Sequence, residues 1–166
     1  PYTSTARGPL GVAIVGLGGA VSTTAIAGLA LMRTDTVGPE GLPLAKISPD
    51  LTRHLAAYDN LVFGGWDLCP DDLAQAALNH NVLTARQYAD AAETLAAIKP
   101  WPAVGNRAFL ANVDGANLAH AATHRDAIAL IRIDLRRFRE ENSLRGCVMI
   151  NLASTERYID RSAAVY

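Results

Sequence analysis

Residues 10–32 read LGVAIVGLGGAVSTTAIAGLALM, and the reading of this stretch decides the fold. Val12, Ala13, Ile14 and Val15 form an unbroken apolar run, suited to a central parallel strand covered on both faces. Gly16, Gly18 and Gly19 follow at once. A glycine at 16 permits a sharp exit from the strand, and one at 18 removes the side chain where a pyrophosphate must approach the backbone. The residues from Ala20 onward favour helix, so the first N–H groups would face such phosphates with the positive end of the helix dipole behind them. Ser22, Thr23 and Thr24 add hydroxyl donors in that first turn. Strand, glycine turn and helix in this order open a dinucleotide-binding fold. The pattern departs at Val21, where G-x-G-x-x-G has its third glycine, and a bare GxG is a weak signal.

A membrane span is the rival reading. No charge lies between Arg7 and Arg33, a length that can cross a bilayer. The middle of the stretch is dense in Gly, Ser and Thr, and no aromatic residue marks either end, which argues against it. A secretory signal fits no better, because the apolar run lacks a basic flank and continues into more apolar sequence.

The 166 residues are about one domain's worth, and 50% are hydrophobic, enough for a core. A formal charge of -1 provides no field that would select nucleic acid or anionic lipid. Cys69 and Cys147 are far apart and have no metal spacing; they predict free thiols in a reducing compartment, hence a cytoplasmic location. Of the histidines, only His120 and His124 are four apart, on one face of a predicted helix, and with no Cys or Glu placed to complete a set they predict surface residues and no metal site. The chain opens at Pro1 and stops at Tyr166 shortly after a strand-and-turn pattern, which leads to the expectation of an incomplete α/β fold.

Outward from the glycine turn, 1–9 is a polar lead-in, and 34–58, rich in Gly and Pro, reads as an ordered insertion that could include a short helix near 49–57. DNLVFGG at 59–65 is the next buried strand. Asp67, at its end, is placed as a ribose-hydroxyl acceptor, or alternatively as the cap of the next helix. The distance from Gly19 is much longer than the usual ~20 residues, which the insertion accounts for. Helices are predicted over 70–79, 84–98 and 119–142, the last with Ile128, Ile131, Leu135 and Phe138 as its buried stripe. Arg132, Arg136, Arg137 and Arg139 on it read as a solvated face rather than a phosphate-binding one. KPWPAVGN at 99–106 reads as a rigid aromatic loop that either lines a pocket or packs on the surface, and NVDGAN at 112–117 as a turn. GCVMINL at 146–152 is a third buried strand, and the polar residues after it lie where ligands bind in open α/β sheets.

Five stretches in one order carry a resemblance: VGLGGAVSTT (15–24), VFGGWDL (62–68), IKPWPAVGN (98–106), RRFREEN (136–142) and INLASTERY (150–158). The sequence resembles the myo-inositol-1-phosphate synthase family, especially its shorter bacterial relatives, from about 10 to 160. The resemblance implies a Rossmann-like, doubly wound parallel sheet binding NAD over 10–160, with 161–166 the start of a missing remainder. It implies an isomerase that takes glucose 6-phosphate to inositol 1-phosphate by oxidation at C5, deprotonation at C6, intramolecular aldol closure and reduction, with no net redox change.

Residue by residue, Gly16, Gly18 and Gly19 look like the family's pyrophosphate turn, with Ala20 and Val21 where many members have two asparagines. Asp67 matches the cofactor-contacting Asp of GWD. Ala103 and Val104 fall where members place Ser-Ile near the cofactor. Leu152, Ala153, Ser154 and Thr155 align with T-A-N-T, so that Ser154 and Thr155 keep hydrogen-bonding capacity and Leu152 does not. The family's catalytic lysines belong to a later domain, and neither Lys46 nor Lys99 matches them, so no catalytic residue is expected in this chain. The sugar phosphate would bind through that domain, and the family's homotetramers imply a homo-oligomer. Two other readings stand beside this one: a non-catalytic NAD-binding or regulatory module, and an NAD-dependent oxidoreductase on another substrate that shares only the fold.

Overall fold

The computed structural model describes residues 8–154 apart from 45, 49, 51–54 and 107–114. Along them run β1 (Leu10–Val15), α1 (Ala20–Arg33), β2 (Leu61–Asp67), α2 (Leu73–His80), α3 (Ala85–Ala96), β3 (Trp101–Gly105), β4 (Leu118–His120), α4 (His124–Glu141) and β5 (Gly146–Asn151). The strands pair in parallel in the order β4-β3-β2-β1-β5. The chain steps outward from β1 through β2 and β3 to β4, and α4 then carries it back to lay β5 on the other side of β1. Strand order therefore reverses between β1 and β5, and in open α/β sheets the crevice beyond the strand ends at such a reversal is where ligands bind.

The two-residue period of β1 and β2 divides the core between the sheet's faces. Val12, Ile14 and Phe63 pack with Ile26, Ala27, Ala30 and Leu31 of α1, Leu73, Ala74 and Ala77 of α2, and Ala91 and Leu95 of α3. The alternate residues face α4. There Gly11 and Gly64 make room: a Cβ on Gly11 would lie 2.8 Å from the Phe138 ring, and one on Gly64 2.7 Å from Trp101. Buried Trp66 meets Trp101 edge-on at 4.9 Å, and Trp101 meets Phe138 at 5.2 Å. The Trp66 indole donates to Asp134 at 2.8 Å, so the polar edge of this aromatic layer is satisfied. Helices lie on both faces, and the doubly wound parallel sheet expected from the sequence is the fold observed.

The connection over 34–58 is closed at its ends by Arg33. Its guanidinium donates to the carbonyls of Tyr58 at 3.0 Å and Leu61 at 2.8 Å, tying the start of β2 to the last turn of α1. A loop of this length costs little more entropy than a shorter one once its ends are joined. The β1–α1–β2 unit is therefore kept, although 49 residues separate Gly18 from Asp67. Most of the helix expected near 49–57 lies outside the described residues, as do 1–7 of the lead-in and 112–114 of the expected turn.

Several expectations are corrected. KPWPAVGN is not a loop: Trp101–Gly105 is strand β3, and its tryptophan packs into the core instead of lining a pocket. Its prolines are tolerated because β3 pairs with β2 only at Trp101 and Pro102. The predicted helix over 119–142 begins as strand β4, and α4 starts only at His124, where Thr123 and Asp126 form a capping box. His120 and His124 therefore do not share a helix face. On α4, Phe138 is buried and Ile131 and Leu135 half-buried, but Ile128 is 58% exposed, because the helix turns Asp134 rather than Ile128 toward the sheet side. Arg137 pairs with Asp134 at 3.1 Å and lies over the Trp101 ring, while Arg132, Arg136 and Arg139 border an open groove with Glu140 near the start of β5. Strand β5 is not buried: Met149 is 58% exposed, since among the described residues β5 is an edge strand with β1 on one side.

The membrane alternative finds no support among the described residues, where no helix is long and apolar enough to cross a bilayer. Helix α1 has 14 residues, and its apolar face is buried against α2 and α3.

Candidate functional site

The glycine turn leaves β1 at its carboxyl end. Gly16 adopts φ +84°, which an L side chain rarely does, and the turn then folds on itself. The N–H groups of Gly16 and Leu17 both donate to the Trp66 carbonyl, at 2.9 and 3.1 Å, and that of Gly19 donates to the Gly16 carbonyl at 3.1 Å. The Gly18 N–H donates to Asp67 Oδ2 at 2.8 Å. All four turn amides are thus used inside the protein.

The hydroxyls expected to face phosphates are also turned inward. Ser22 Oγ donates to the Gly16 carbonyl at 2.8 Å and Thr23 Oγ1 to the Gly19 carbonyl at 3.0 Å, and both side chains are buried. They lock the turn onto α1. What faces outward is the start of α1 itself. The N–H groups of Ala20, Val21 and Ser22 have no acceptor within the helix, Gly19 offers no side-chain cap, and no acidic residue stands in the first turn. Val21 is 64% exposed, so the close helix–strand packing that a third glycine serves is not required at this position.

Asp67 ends β2 directly beside this turn. Its Oδ1 accepts the Cys69 N–H at 3.0 Å, an Asx turn that holds the carboxylate toward Gly18. The alternative role as helix cap falls to Asp72, whose side chain accepts the Gln75 N–H at 2.9 Å. A Cβ on Gly18 would lie 3.2 Å from Asp67 Oδ2, so the glycine lets carboxylate and turn approach. Beside the carboxylate, a backbone hydrogen bond at Asp71 lowers the Cys69 thiol pKa. Burial and the negative charges of Asp71 and Asp67 outweigh it, and the thiol is pushed up. Both described cysteines are free.

Asn117 joins the next strands to the same spot. Its side-chain amide donates to the Asp67 carbonyl at 3.0 Å, its backbone N–H to the Leu68 carbonyl at 3.0 Å, and its carbonyl accepts the Ala103 N–H at 2.9 Å. Ala103 and Val104 lie on β3 one and two residues beyond Pro102, which registers with Asp67. On the other side, the Leu152 N–H donates to the Val15 carbonyl at 2.9 Å, and a Cβ on Gly16 would meet the Ala153 N at 3.1 Å. Leu152 packs against the main core, which accounts for an apolar residue there. Asn151 Oδ1 accepts the Ala153 N–H at 3.1 Å, and Ser154 is exposed. Thr155 lies outside the described residues.

The structure therefore brings the Gly16–Gly19 turn, Asp67 and Leu152–Ala153 together at the reversal between β1 and β5, and sets Ala103 and Val104 two strands away. Two residues in this arrangement escape a reading of the sequence. One is Asn117, whose stretch reads only as a turn. The other is His80, whose Nε2 stands 2.7 Å from the Gly18 carbonyl. Among the described residues no group of three or more His, Cys, Asp or Glu could hold a metal.

Comparison with known proteins adds three findings. A family model for an NAD-binding domain, described as Myo-inositol-1-phosphate synthase, matches residues 50–166. Inositol-3-phosphate synthase 1 of Bacteroides thetaiotaomicron is 35% identical over 95% of this chain, and the rice (Oryza sativa subsp. japonica) protein of the same name is 27% identical over 94%. The chain spans only 39% and 36% of those two proteins. The crystal structure of inositol-3-phosphate synthase from Caenorhabditis elegans superposes with a TM-score of 0.70 at 19% identity, over 93% of this chain and 36% of that one, a likeness of fold. The chain belongs to the myo-inositol-1-phosphate synthase family and carries its NAD-binding domain.

Proposed function

We propose that this chain is the cofactor-binding part of an enzyme that converts glucose 6-phosphate to an inositol phosphate, with residues 10–160 forming the NAD-binding unit and 34–58 an insertion in it. The observation that carries the reading is the bond from the Gly18 N–H to Asp67, which holds the glycine turn against the end of β2 beside the strand reversal. The uncapped first turn of α1, free of acidic side chains, fits a pyrophosphate.

In this reading the N–H groups of Ala20, Val21 and Ser22 hold the phosphates, Asp67 orients a ribose, Ala103 and Val104 provide apolar contact, and Ala153 and Ser154 border the crevice on the β5 side. NAD, when bound, supplies the hydride acceptor that permits oxidation at C5 of the sugar and returns the hydride at the end. The chain's own residues orient the cofactor. Lys99 stands before β3, at the amino ends of the parallel strands, whereas the turn leaves β1 at its carboxyl end, so it does not serve the chemistry. Deprotonation and enolate stabilisation fall to the part of such enzymes that this chain does not span. A cytoplasmic homo-oligomer completes the proposal.

Calorimetric titration of the folded 166-residue chain with NAD is expected to show one site per chain. The same preparation, incubated with glucose 6-phosphate and NAD, is expected to form no inositol phosphate. Turnover would overturn the division of labour. A folded chain that releases no heat with NAD and gains no thermal stability would favour the non-catalytic module, a reading that the apolar Ala20 and Val21 keep in view.

A further inference from the structure

We propose that His80 is a positioning residue for the glycine turn and, through it, for the nucleotide; the second half of the proposal rests on the NAD reading above. Gly18 is held from two sides by two different elements. Its N–H donates to Asp67 at the end of β2, at 2.8 Å, and its carbonyl lies 2.7 Å from Nε2 of His80 in the last turn of α2. A carbonyl oxygen only accepts, so Nε2 carries the proton and His80 donates.

A glycine has wide conformational freedom of its own, and its orientation here comes from these partners. The Gly18 carbonyl shares a peptide plane with the Gly19 N–H, which donates to the Gly16 carbonyl, and Gly19 is the N-cap of α1. Holding that plane sets the direction in which the outward-facing N–H groups of Ala20, Val21 and Ser22 leave the turn. The base of the clamp is firm. Helix α2 is anchored in the core by Leu73, Ala74 and Ala77, and Asn81, at φ +52°, closes it directly after His80. His80 itself is exposed, so replacing it leaves the core intact.

The test compares His80→Ala and His80→Gln in the 166-residue chain, reading NAD affinity by calorimetry and amide-proton exchange of Gly18 and Gly19 by NMR. Loss of one polar contact predicts that His80→Ala weakens NAD binding about 3- to 10-fold and speeds exchange of both amides, with the melting temperature nearly unchanged. His80→Gln, whose side-chain amide donates, restores both readouts. A purely structural residue would not show that rescue. The proposal is overturned if His80→Ala leaves affinity and exchange as in the parent, or if His80→Gln behaves as the alanine variant does. A parent chain that does not bind NAD defeats the nucleotide reading alone, and the exchange rates then decide the clamp without it.

Discussion

Asp67→Ala is expected to weaken NAD binding by at least about tenfold, corresponding to about 1.4 kcal/mol, while the chain stays folded. The carboxylate accepts two backbone N–H groups, Gly18 at 2.8 Å and Cys69 at 3.0 Å, and bonds of this charge-assisted kind contribute more than neutral ones. Truncation leaves the half-buried Gly18 amide without an acceptor, a loss of about 1–3 kcal/mol, while the exposed Cys69 amide turns to water, and in the proposed reading it also removes the acceptor for a ribose hydroxyl. Asp67→Asn keeps one carbonyl oxygen, which can serve Gly18 or Cys69 but carries no charge, so it should fall between parent and alanine. Calorimetry with NAD and thermal unfolding separate the two parts of the effect. An alanine variant that binds NAD within twofold of the parent would remove Asp67 from the site.

The residues that make this prediction are legible in the sequence alone. An apolar run into Gly16 and an acidic residue closing a second apolar run are local patterns, and each states its own chemistry. The partners that complete the site were not legible, because their roles are set by distance in space. Asn117 gains its meaning only when β3 and β4 bring it under Asp67 and beside Ala103. His80 does so only when α2 ends against the turn. Local chemistry also misled where two uses of one group compete. Ser22 and Thr23 are donors beside a phosphate-binding turn, yet both hydroxyls bond turn carbonyls, since a buried hydroxyl without a partner is costly. Pro100 and Pro102 signal a loop, but a strand that pairs at only two positions with its inner neighbour accommodates them. The apolar run of β5 signals burial, which depends on what lies beyond it and not on the run itself.

Gly16→Val tests the other half of the arrangement, the junction of β1 with β5. At φ +84° a β-branched residue is in a poor backbone region, costing about 1–2 kcal/mol for an L residue, and more with a second substituent on Cβ. Space is also lacking. The new Cβ would lie 3.1 Å from the Ala153 N, 3.3 Å from its Cα and 3.3 Å from the Leu152 carbonyl carbon. These are backbone atoms held in place by the Leu152 N–H bond to Val15 and the Asn151 bond to Ala153, so they cannot swing aside as a side-chain tip would. Together the strain and the clash predict a loss of about 3 kcal/mol in urea unfolding and a melting temperature lower by about 5–10 °C for a domain of this size. Because any relief moves β5 away from β1, the variant that does fold should also bind NAD weakly. Gly28→Ala, in the same α1, is the matched control. A Cβ there meets nothing within 4 Å, and in a helix interior alanine is favoured over glycine by about 0.5–1 kcal/mol, so this variant should be more stable than the parent and bind NAD as it does. Equal stability for Gly16→Val and the parent would mean that the turn leaves β1 in another conformation, and the crevice built on it would have to be redrawn.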